Sequence, residues 1–382
     1  MNFSLTMPGK VLFGRGELAK AGDVACQLGK RFLIVTNPSL LSGGAVERLL
    51  QSLRGQGVDA VVFTMSGEPT PDVVHEAAGA ATRERCDAVI GMGGGSAMDA
   101  AKAAAGIATN GGPVVEYLEG VGKGRVMTVP PLPFLAIPTT AGTGSEATKN
   151  AVISDISAGY KASFRSDSLL AKAVIVDPEL TVSVPANVTA WSGMDALTQL
   201  MESYLSKKAQ PVTDALAISG MEAVAANLAK AYADGQGIEA REAMAYGSFL
   251  SGICLANAGL GADHGIAAAF GAVLGVPHGL ACAVLLPHVM AFNLPHAGQK
   301  AAAIAQALTG RSFAEAADNA KAVTGFLREL SERLGIPQKL NLPDVSGGTL
   351  DRVFRAVSRS SMSGNPVEMT ADETMEMISK AI

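Results

Sequence analysis

Four side chains in two short stretches could close around a divalent cation. Asp195 and Gln199 stand four residues apart in the run Gly193-Met194-Asp195-Ala196-Leu197-Thr198-Gln199, which puts them on one face of a helix. His264 and His278 are two of only five histidines, and residues 264–299 contain no Asp, Glu, Lys or Arg. A carboxylate, an amide oxygen and two imidazoles make a mixed N/O donor set that could close around a divalent cation. Asp263, directly before His264, is a candidate to orient that imidazole or to carry a proton.

Two glycine-rich loops point to a different ligand. Gly91-Met92-Gly93-Gly94-Gly95-Ser96-Ala97-Met98-Asp99 follows an apolar run and opens a helical pattern over 97–105. Consecutive glycines let backbone N–H groups approach phosphate oxygens, a helix N-terminus favours negative charge, and Ser96 adds a hydroxyl. The spacing is neither G-x-G-x-x-G nor a P-loop, so an unliganded tight turn is the competing reading. The second loop, Pro138-Thr139-Thr140-Ala141-Gly142-Thr143-Gly144-Ser145, offers hydroxyls suited to a diphosphate or ribose, with a simple ST-turn as its rival. Two such loops at strand carboxyl ends of one sheet indicate a nucleotide-binding α/β domain.

The elements that must carry these residues are legible as patterns. Apolar runs at 31–36, 59–64, 87–92, 134–137 and 173–176 alternate with helical patterns at 46–54 and 72–84. That rhythm predicts a parallel sheet with helices on both faces. Residues 6–14, with the Pro8-Gly9 pair, read as a small hairpin ahead of it. Beyond Asp177-Pro178 strand signals nearly vanish, and helical patterns fill 188–206, 211–233, 238–257, 299–307, 312–334, 350–358 and 371–382. The expected division is 1–180, an α/β domain, and 181–382, an all-helical domain holding Asp195, Gln199, His264 and His278.

At 382 residues, 48% apolar and 17% charged, the chain is globular and long enough for two cores. A net charge of −5 without a Lys/Arg cluster argues against nucleic acid as a partner. Four scattered cysteines without a CxxC pair suit reduced thiols in a cytoplasmic protein, and the N-terminus lacks a signal-peptide pattern. Pro277, Pro287 and Pro295 interrupt the uncharged stretch, so buried helices are expected there, not a membrane span. His75 reads as solvated, and His288 and His296 as structural.

Several strings together resemble the iron-dependent (group III) alcohol dehydrogenases. They are Gly93-Gly94-Gly95-Ser96-x-x-Asp99, Pro138-Thr139-Thr140-x-Gly142-Thr143-x-Ser145-Glu146, Gly193-Met194-Asp195-Ala196-Leu197-Thr198, Pro277-His278-Gly279 and Leu286-Pro287-His288-Val289-Met290, with Asn365-Pro366 near the end. The resemblance spans essentially the whole chain. It implies a dinucleotide-binding α/β domain followed by an all-α domain, the fold shared with dehydroquinate synthase. It also implies an NAD- or NADP-dependent oxidoreductase interconverting a small alcohol and its aldehyde or ketone, working as a homodimer or larger homo-oligomer. By the same resemblance Gly94, Gly95 and Ser96 hold the pyrophosphate and Asp99 lies toward the nicotinamide. Thr139, Thr140, Thr143 and Ser145 surround the adenine-ribose-phosphate region, and Lys161 reaches the nicotinamide ribose. Asn150 and Met362 fall near the substrate. The family's metal, Fe²⁺ or Zn²⁺, is held by one Asp and three His and polarises the substrate oxygen; those positions are Asp195, Gln199, His264 and His278 here.

Three departures from the family pattern stand out. The family's Asp-Ala-Leu-Thr-His ends here in Gln199, an amide that donates more weakly than imidazole. The usual proton-relay histidine four residues after His264 is Ala268. The acidic residue often found after the first core strand, which repels a 2′-phosphate, is Asn37. These departures keep two alternatives open: a metal-independent reductase of the maleylacetate reductase kind, and a non-catalytic nucleotide-binding paralogue.

Overall fold

The computed structural model describes residues 2–342 and 345–382. The chain divides into two units, one of Thr6–Thr140 with Gly144–Ser183, the other of Val184–Ile382 with Ala141–Thr143 and residues 2–5.

In the first unit the apolar runs become strands, because β-branched and aromatic side chains fit a pleated surface buried on both faces. Its elements are β1 (Lys10–Phe13), α1 (Ala21–Ala25), β2 (Arg31–Thr36), α2 (Pro38–Ser42), α3 (Ala45–Gly55), β3 (Asp59–Thr64), α4 (Pro71–Arg83), β4 (Ala88–Gly93), α5 (Gly95–Asn110), β5 (Phe134–Pro138), β6 (Asn150–Asp155), β7 (Tyr160–Arg165) and β8 (Ala173–Val176). Six strands form one sheet in the order β1-β8-β5-β4-β2-β3, and each of its pairings is parallel, as in Phe32 opposite Ala88 and Gly93 opposite Pro138. Phe32, Ile34, Ile90, Met92, Leu135 and Ile175 bury one face against Val24 of α1 and Leu49 and Leu53 of α3. Such side chains contribute about 1.5–3 kcal/mol each when enclosed. On the other face α4 and α5 pack against β2 and β4. The chain leaves β2 toward β3 and returns as β4 on the opposite side of β2. That reversal is a topological switch point, and the carboxyl ends of β2 and β4 flank it.

Two expectations for this unit need correction. Residues 6–14 do not form a hairpin: β1 is a single edge strand paired in parallel with β8, and Pro8-Gly9 lies at its entrance, where the Gly9 N–H donates to the Ala171 carbonyl. A hairpin does exist further on, where β6 and β7 pair antiparallel. Its strands carry Ser154, Lys161, Ser163 and Arg165 among the apolar residues, which gives them the polarity of a loop. His75 is half-buried on α4, not solvated, and its Nε2 accepts the Val114 N–H at 2.9 Å.

The second unit has no strand among its described residues. Its helices are α6 (Ala186–Leu205), α7 (Pro211–Ala233), α8 (Ile238–Ala258), α9 (Ala262–Leu274), α10 (His278–Asn293), α11 (Gln299–Thr309), α12 (Ala316–Arg333), α13 (Gly347–Ala356), α14 (Arg359–Met362) and α15 (Ala371–Ala381). α6 is buried over nearly its whole length because α7, α8 and α10 all pack on it. The uncharged stretch becomes α9 and α10. His278–His296 is long and apolar enough to cross a membrane by length and composition, and 61% of it lies buried within the unit, the situation of a core helix.

Candidate active site

In the helical unit three helices bring the cation-type residues together. α6 supplies Asp195, Gln199 and Glu202, whose spacing of four and three residues keeps them on one face. α9 presents Asp263 and His264 in its first turn, and α10 begins at His278. His278 can come close because Gly279 has no side chain: a Cβ there would stand 2.4 Å from the Trp191 carbonyl oxygen of α6. The exposed N–H groups at the start of α9 find partners. Ala262 N–H donates to Asn365 Oδ1 at 3.1 Å and Asp263 N–H to Glu202 Oε1 at 2.7 Å.

The resulting geometry is that of oriented ligands. His264 Nδ1 lies 2.7 Å from Glu202 Oε2, so its Nε2 is the atom turned to Asp195 Oδ1, 3.1 Å away. A carboxylate behind one ring nitrogen fixes the orientation and basicity of the other, the usual support of a metal-binding imidazole. His278 Nε2 stands 3.9 Å from the same Asp195 oxygen, and the two imidazole rings meet edge to face at 5.4 Å. Cys282, one turn after His278, joins the cluster: ligand atoms of Asp195, His264, His278 and Cys282 all lie within 4.8 Å of one another. Donors held about 2.1 Å from one ion are about 3.4 Å apart along a tetrahedral edge. The separations of 3.1, 3.8 and 3.9 Å bracket that value, so the donor set fits a small divalent ion.

The electrostatics agree with this picture. Burial alone would raise the Asp195 carboxyl, but the hydrogen bond from His264 and the neighbouring His278 outweigh it and hold Asp195 below the usual carboxylate range. Asp263 behaves oppositely: burial first, then the Glu202 charge, pushes its carboxyl well above that range. The Cys282 thiol lies beside it, and hydrogen bonding from that thiol partly offsets the rise.

Gln199 differs from expectation. Its amide nitrogen, not its oxygen, faces Asp195 Oδ1 at 3.1 Å, while its oxygen accepts the Ser251 hydroxyl at 2.8 Å. Glu202 and Cys282 escaped the sequence reading. Glu202 was visible as a lone acid on the Asp195 face of an apolar helix, and Cys282 as a residue four positions after His278. Met362 packs beside α9: a Cβ on Gly265 would meet its sulfur at 2.9 Å.

In the α/β unit the glycine loop follows β4 and opens α5, with Gly94 as a cap that supplies no side-chain acceptor. The first N–H groups of α5 therefore carry the partial positive charge of an uncapped helix start. Thr140 closes on this loop, and a Cβ on Gly94 would come within 3.2 Å of Thr140 Oγ1. Thr139 hydrogen-bonds to the Gly93 carbonyl at 2.9 Å. Asn37, at the end of β2, lies across the switch point, 3.6 Å from where a Gly93 Cβ would be. Its side chain caps α2, accepting the Leu40 N–H at 3.2 Å. Gly93, Gly94, Thr140 and Asn37 thus gather at the carboxyl ends of β2, β4 and β5, beside the start of α5.

Other expected cofactor residues make contacts within the protein. Asp99 and Ser145 are drawn into a buried cluster around Lys102, a residue the sequence reading did not single out. Lys102 Nζ reaches Asp99 at 3.0 Å, Ser145 Oγ at 2.7 Å and Thr148 Oγ1 at 3.0 Å, and it also donates to the Asn150 carbonyl. The second Asp99 oxygen accepts the Val152 N–H of β6 at 3.0 Å. Burial lowers the Lys102 pKa against the pull of Asp99, and burial raises neighbouring Glu146 to about 7. Lys161 on β7 pairs with Glu68 at 3.0 Å. Thr143 lies in the segment Ala141–Thr143, which groups with the helical unit.

Comparison with known proteins respects the same division. Residues 8–178 match the model of the iron-containing alcohol dehydrogenase family, and residues 189–382 match that of the C-terminal region of the Fe-containing alcohol dehydrogenase family. The NAD-dependent methanol dehydrogenase of Bacillus methanolicus is 40% identical over 337 residues, covering 87% of each chain. The 1,3-propanediol dehydrogenase of Klebsiella pneumoniae is 39% identical over 348 residues, 88% of each. Among solved structures, a 1,3-propanediol oxidoreductase superposes with a TM-score of 0.92 at 34% identity over the full length of both chains. A sulfoacetaldehyde reductase from Bifidobacterium kashiwanohense, in complex with NAD⁺, gives 0.90 at 30% identity, covering 100% of this chain and 99% of the other. With both halves matched, a phosphate-type loop in the first unit and a carboxylate-and-imidazole cluster in the second, the chain belongs to the iron-containing alcohol dehydrogenase family.

Proposed function

We propose that this alcohol dehydrogenase interconverts a small alcohol and its aldehyde or ketone with NAD, using a divalent ion held by Asp195, His264 and His278. The observation that carries this reading is the anchoring of His264 on Glu202, which aims Nε2 at Asp195 beside the His278 ring. An ion there supplies a Lewis acid for the substrate oxygen, and NAD supplies the hydride acceptor.

The chain's own residues do the rest. The uncapped start of α5, with Gly94, Gly95, Ser96 and Thr140, binds the pyrophosphate. Asn37 brings no charge to repel a 2′-phosphate, so NADP is tolerated alongside NAD. Gln199 orients the Asp195 carboxylate through its amide N–H. Asp263 is a poor proton relay in this reading because it is fully enclosed and has no route to solvent. Ala268 offers no imidazole, which leaves water or a cofactor hydroxyl as the route for the proton. By the family resemblance Asp99 lies toward the nicotinamide, Thr143 and Ser145 toward the adenine-ribose-phosphate region, and Lys161 toward the nicotinamide ribose.

Reduction of NAD by methanol, 1,3-propanediol and longer alcohols, before and after chelation, tests the reading. Activity lost on chelation and restored by Fe²⁺ or Zn²⁺, with His278→Ala inactive and unable to retain the ion, is the expected result. Undiminished turnover after complete chelation would overturn the metal role and favour a metal-independent reductase. Family resemblance also favours a homodimer or larger assembly, which light scattering of the purified chain checks.

A further inference from the structure

The family's metal set has an imidazole where this chain has Gln199, and the side chains around the gap point to a different donor. We propose that Cys282, not Gln199, is the fourth protein ligand, giving an Asp–His–His–Cys site that favours zinc over ferrous iron. This rests on the reading of Asp195, His264 and His278 as metal ligands.

Three observations carry it. Cys282 lies one turn after His278 on α10, so both side chains emerge on the same face. Its Sγ stands 3.8 Å from His278 Nε2, within the same cluster as the Asp195 and His264 donor atoms. Gln199 is engaged elsewhere: its oxygen takes the Ser251 hydroxyl, and its N–H donates to Asp195. Turning that amide over to offer its oxygen would exchange the N–H bond to Asp195 for a contact between two oxygens.

Donor type favours the same assignment. The cluster is buried, with Cys282 fully enclosed and the Asp195 side chain 3% exposed. Asp195 and Glu202 already bring two carboxylates to that enclosure, so the case for Cys282 rests on its position and donor type. Thiolate is also the softer donor, and zinc takes mixed sulfur, nitrogen and oxygen sets in tetrahedral geometry.

The test is Co²⁺ loading of chelator-stripped full-length protein without oxygen, read by metal analysis and near-ultraviolet absorption. One Co²⁺ per chain is expected, with a sulfur-to-cobalt charge-transfer band. In Cys282→Ser the band disappears and Co²⁺ binds more than about 100-fold more weakly, beyond what loss of an outer partner costs. In that variant the preference for Zn²⁺ over Fe²⁺ in direct competition also falls. Gln199→Ala keeps the band. The wild-type spectrum needs no variant to fold, and the comparison with Cys282→Ser separates Cys282 from exposed Cys26. One Co²⁺ per chain with no sulfur band, or a band that persists in Cys282→Ser, overturns the assignment and leaves the Asp195–His264–His278 site standing. No retained Co²⁺ in the wild type overturns the metal reading itself.

Discussion

Gly279→Ala should loosen the metal cluster from outside it. The added methyl would stand 2.4 Å from the Trp191 carbonyl oxygen and 2.7 Å from its carbon. Both are backbone atoms of α6, so no side chain can rotate away. A carbon–oxygen contact relaxes at about 3.3 Å, so the start of α10 must retreat from α6 by about 0.9 Å. His278 precedes the substituted residue, and its Nε2 already lies 3.9 Å from Asp195 Oδ1. Displacement directed along that line would open the pair to about 4.8 Å, further from the tetrahedral edge of about 3.4 Å. Overpacking of this kind costs about 1–3 kcal/mol of stability, a melting-temperature loss of a few degrees. Misplacement by about 1 Å at a reacting centre costs about 100-fold in turnover. Calorimetry of the metal-free protein, a chelator-competition titration and NAD-linked turnover measure the three effects. A variant with unchanged melting temperature, metal affinity and turnover would refute the claim that this glycine sets the approach of α10 to α6.

Other perturbations separate the contributions of single groups. Glu202→Gln leaves one donor, either His264 Nδ1–H or Asp263 N–H, facing an amide nitrogen, so metal affinity should drop about 10–100-fold in a competition titration. Glu146 is held at about 7 against an ordinary 4.5. Because its folded pKa is raised, the associated stability is present below pH 4.5 and is lost as pH rises through 7, by about 3 kcal/mol in all. Glu146→Gln should flatten that decline, and melting curves that stay parallel from pH 5 to about pH 8 would count against it. Asn37→Asp restores a carboxylate at the end of β2 while keeping the cap on α2. It should lower kcat/KM with NADP about tenfold or more and leave NAD nearly unchanged, the effect of an acid facing a 2′-phosphate.

Most of the sheet was legible because its strands are short apolar runs, and buried parallel strands differ from loops in composition. β6 and β7 were not, since a two-stranded hairpin with polar residues has neither a continuous apolar run nor a clean alternation. Pro8-Gly9 misled for the opposite reason: the pair marks a turn, but it leads into one edge strand whose partner, β8, lies more than 150 residues away in sequence. At the site, Asp195, His264 and His278 stood out as rare residues in apolar surroundings. Glu202 and Cys282 did not, because an acid seven residues along a helix gains meaning only once α9 is seen to begin against it. Asp99 and Ser145 carried a cofactor expectation from the family resemblance, and only the fold reveals Lys102 between them. Which atom Gln199 presents to Asp195 depends on Ser251 of α8, a contact no local spacing encodes.

The knot around Lys102 has a thermodynamic consequence for the glycine loop. One ammonium group ties α5 to the turn at Ser145 and to the base of the β6–β7 hairpin, and Asp99 adds a bond to the backbone of β6. Lys102 is completely enclosed, so these bonds are shielded from competing water and from salt. The second and third turns of α5, which carry Asp99 and Lys102, are therefore held to the hairpin, and the first turn extends from that anchored base. A dinucleotide arriving at the loop meets N–H groups that are already aligned, and little of its binding energy goes into freezing backbone motion. Preorganisation of this kind predicts slow hydrogen exchange along α5 in the free protein, changing little when the cofactor binds.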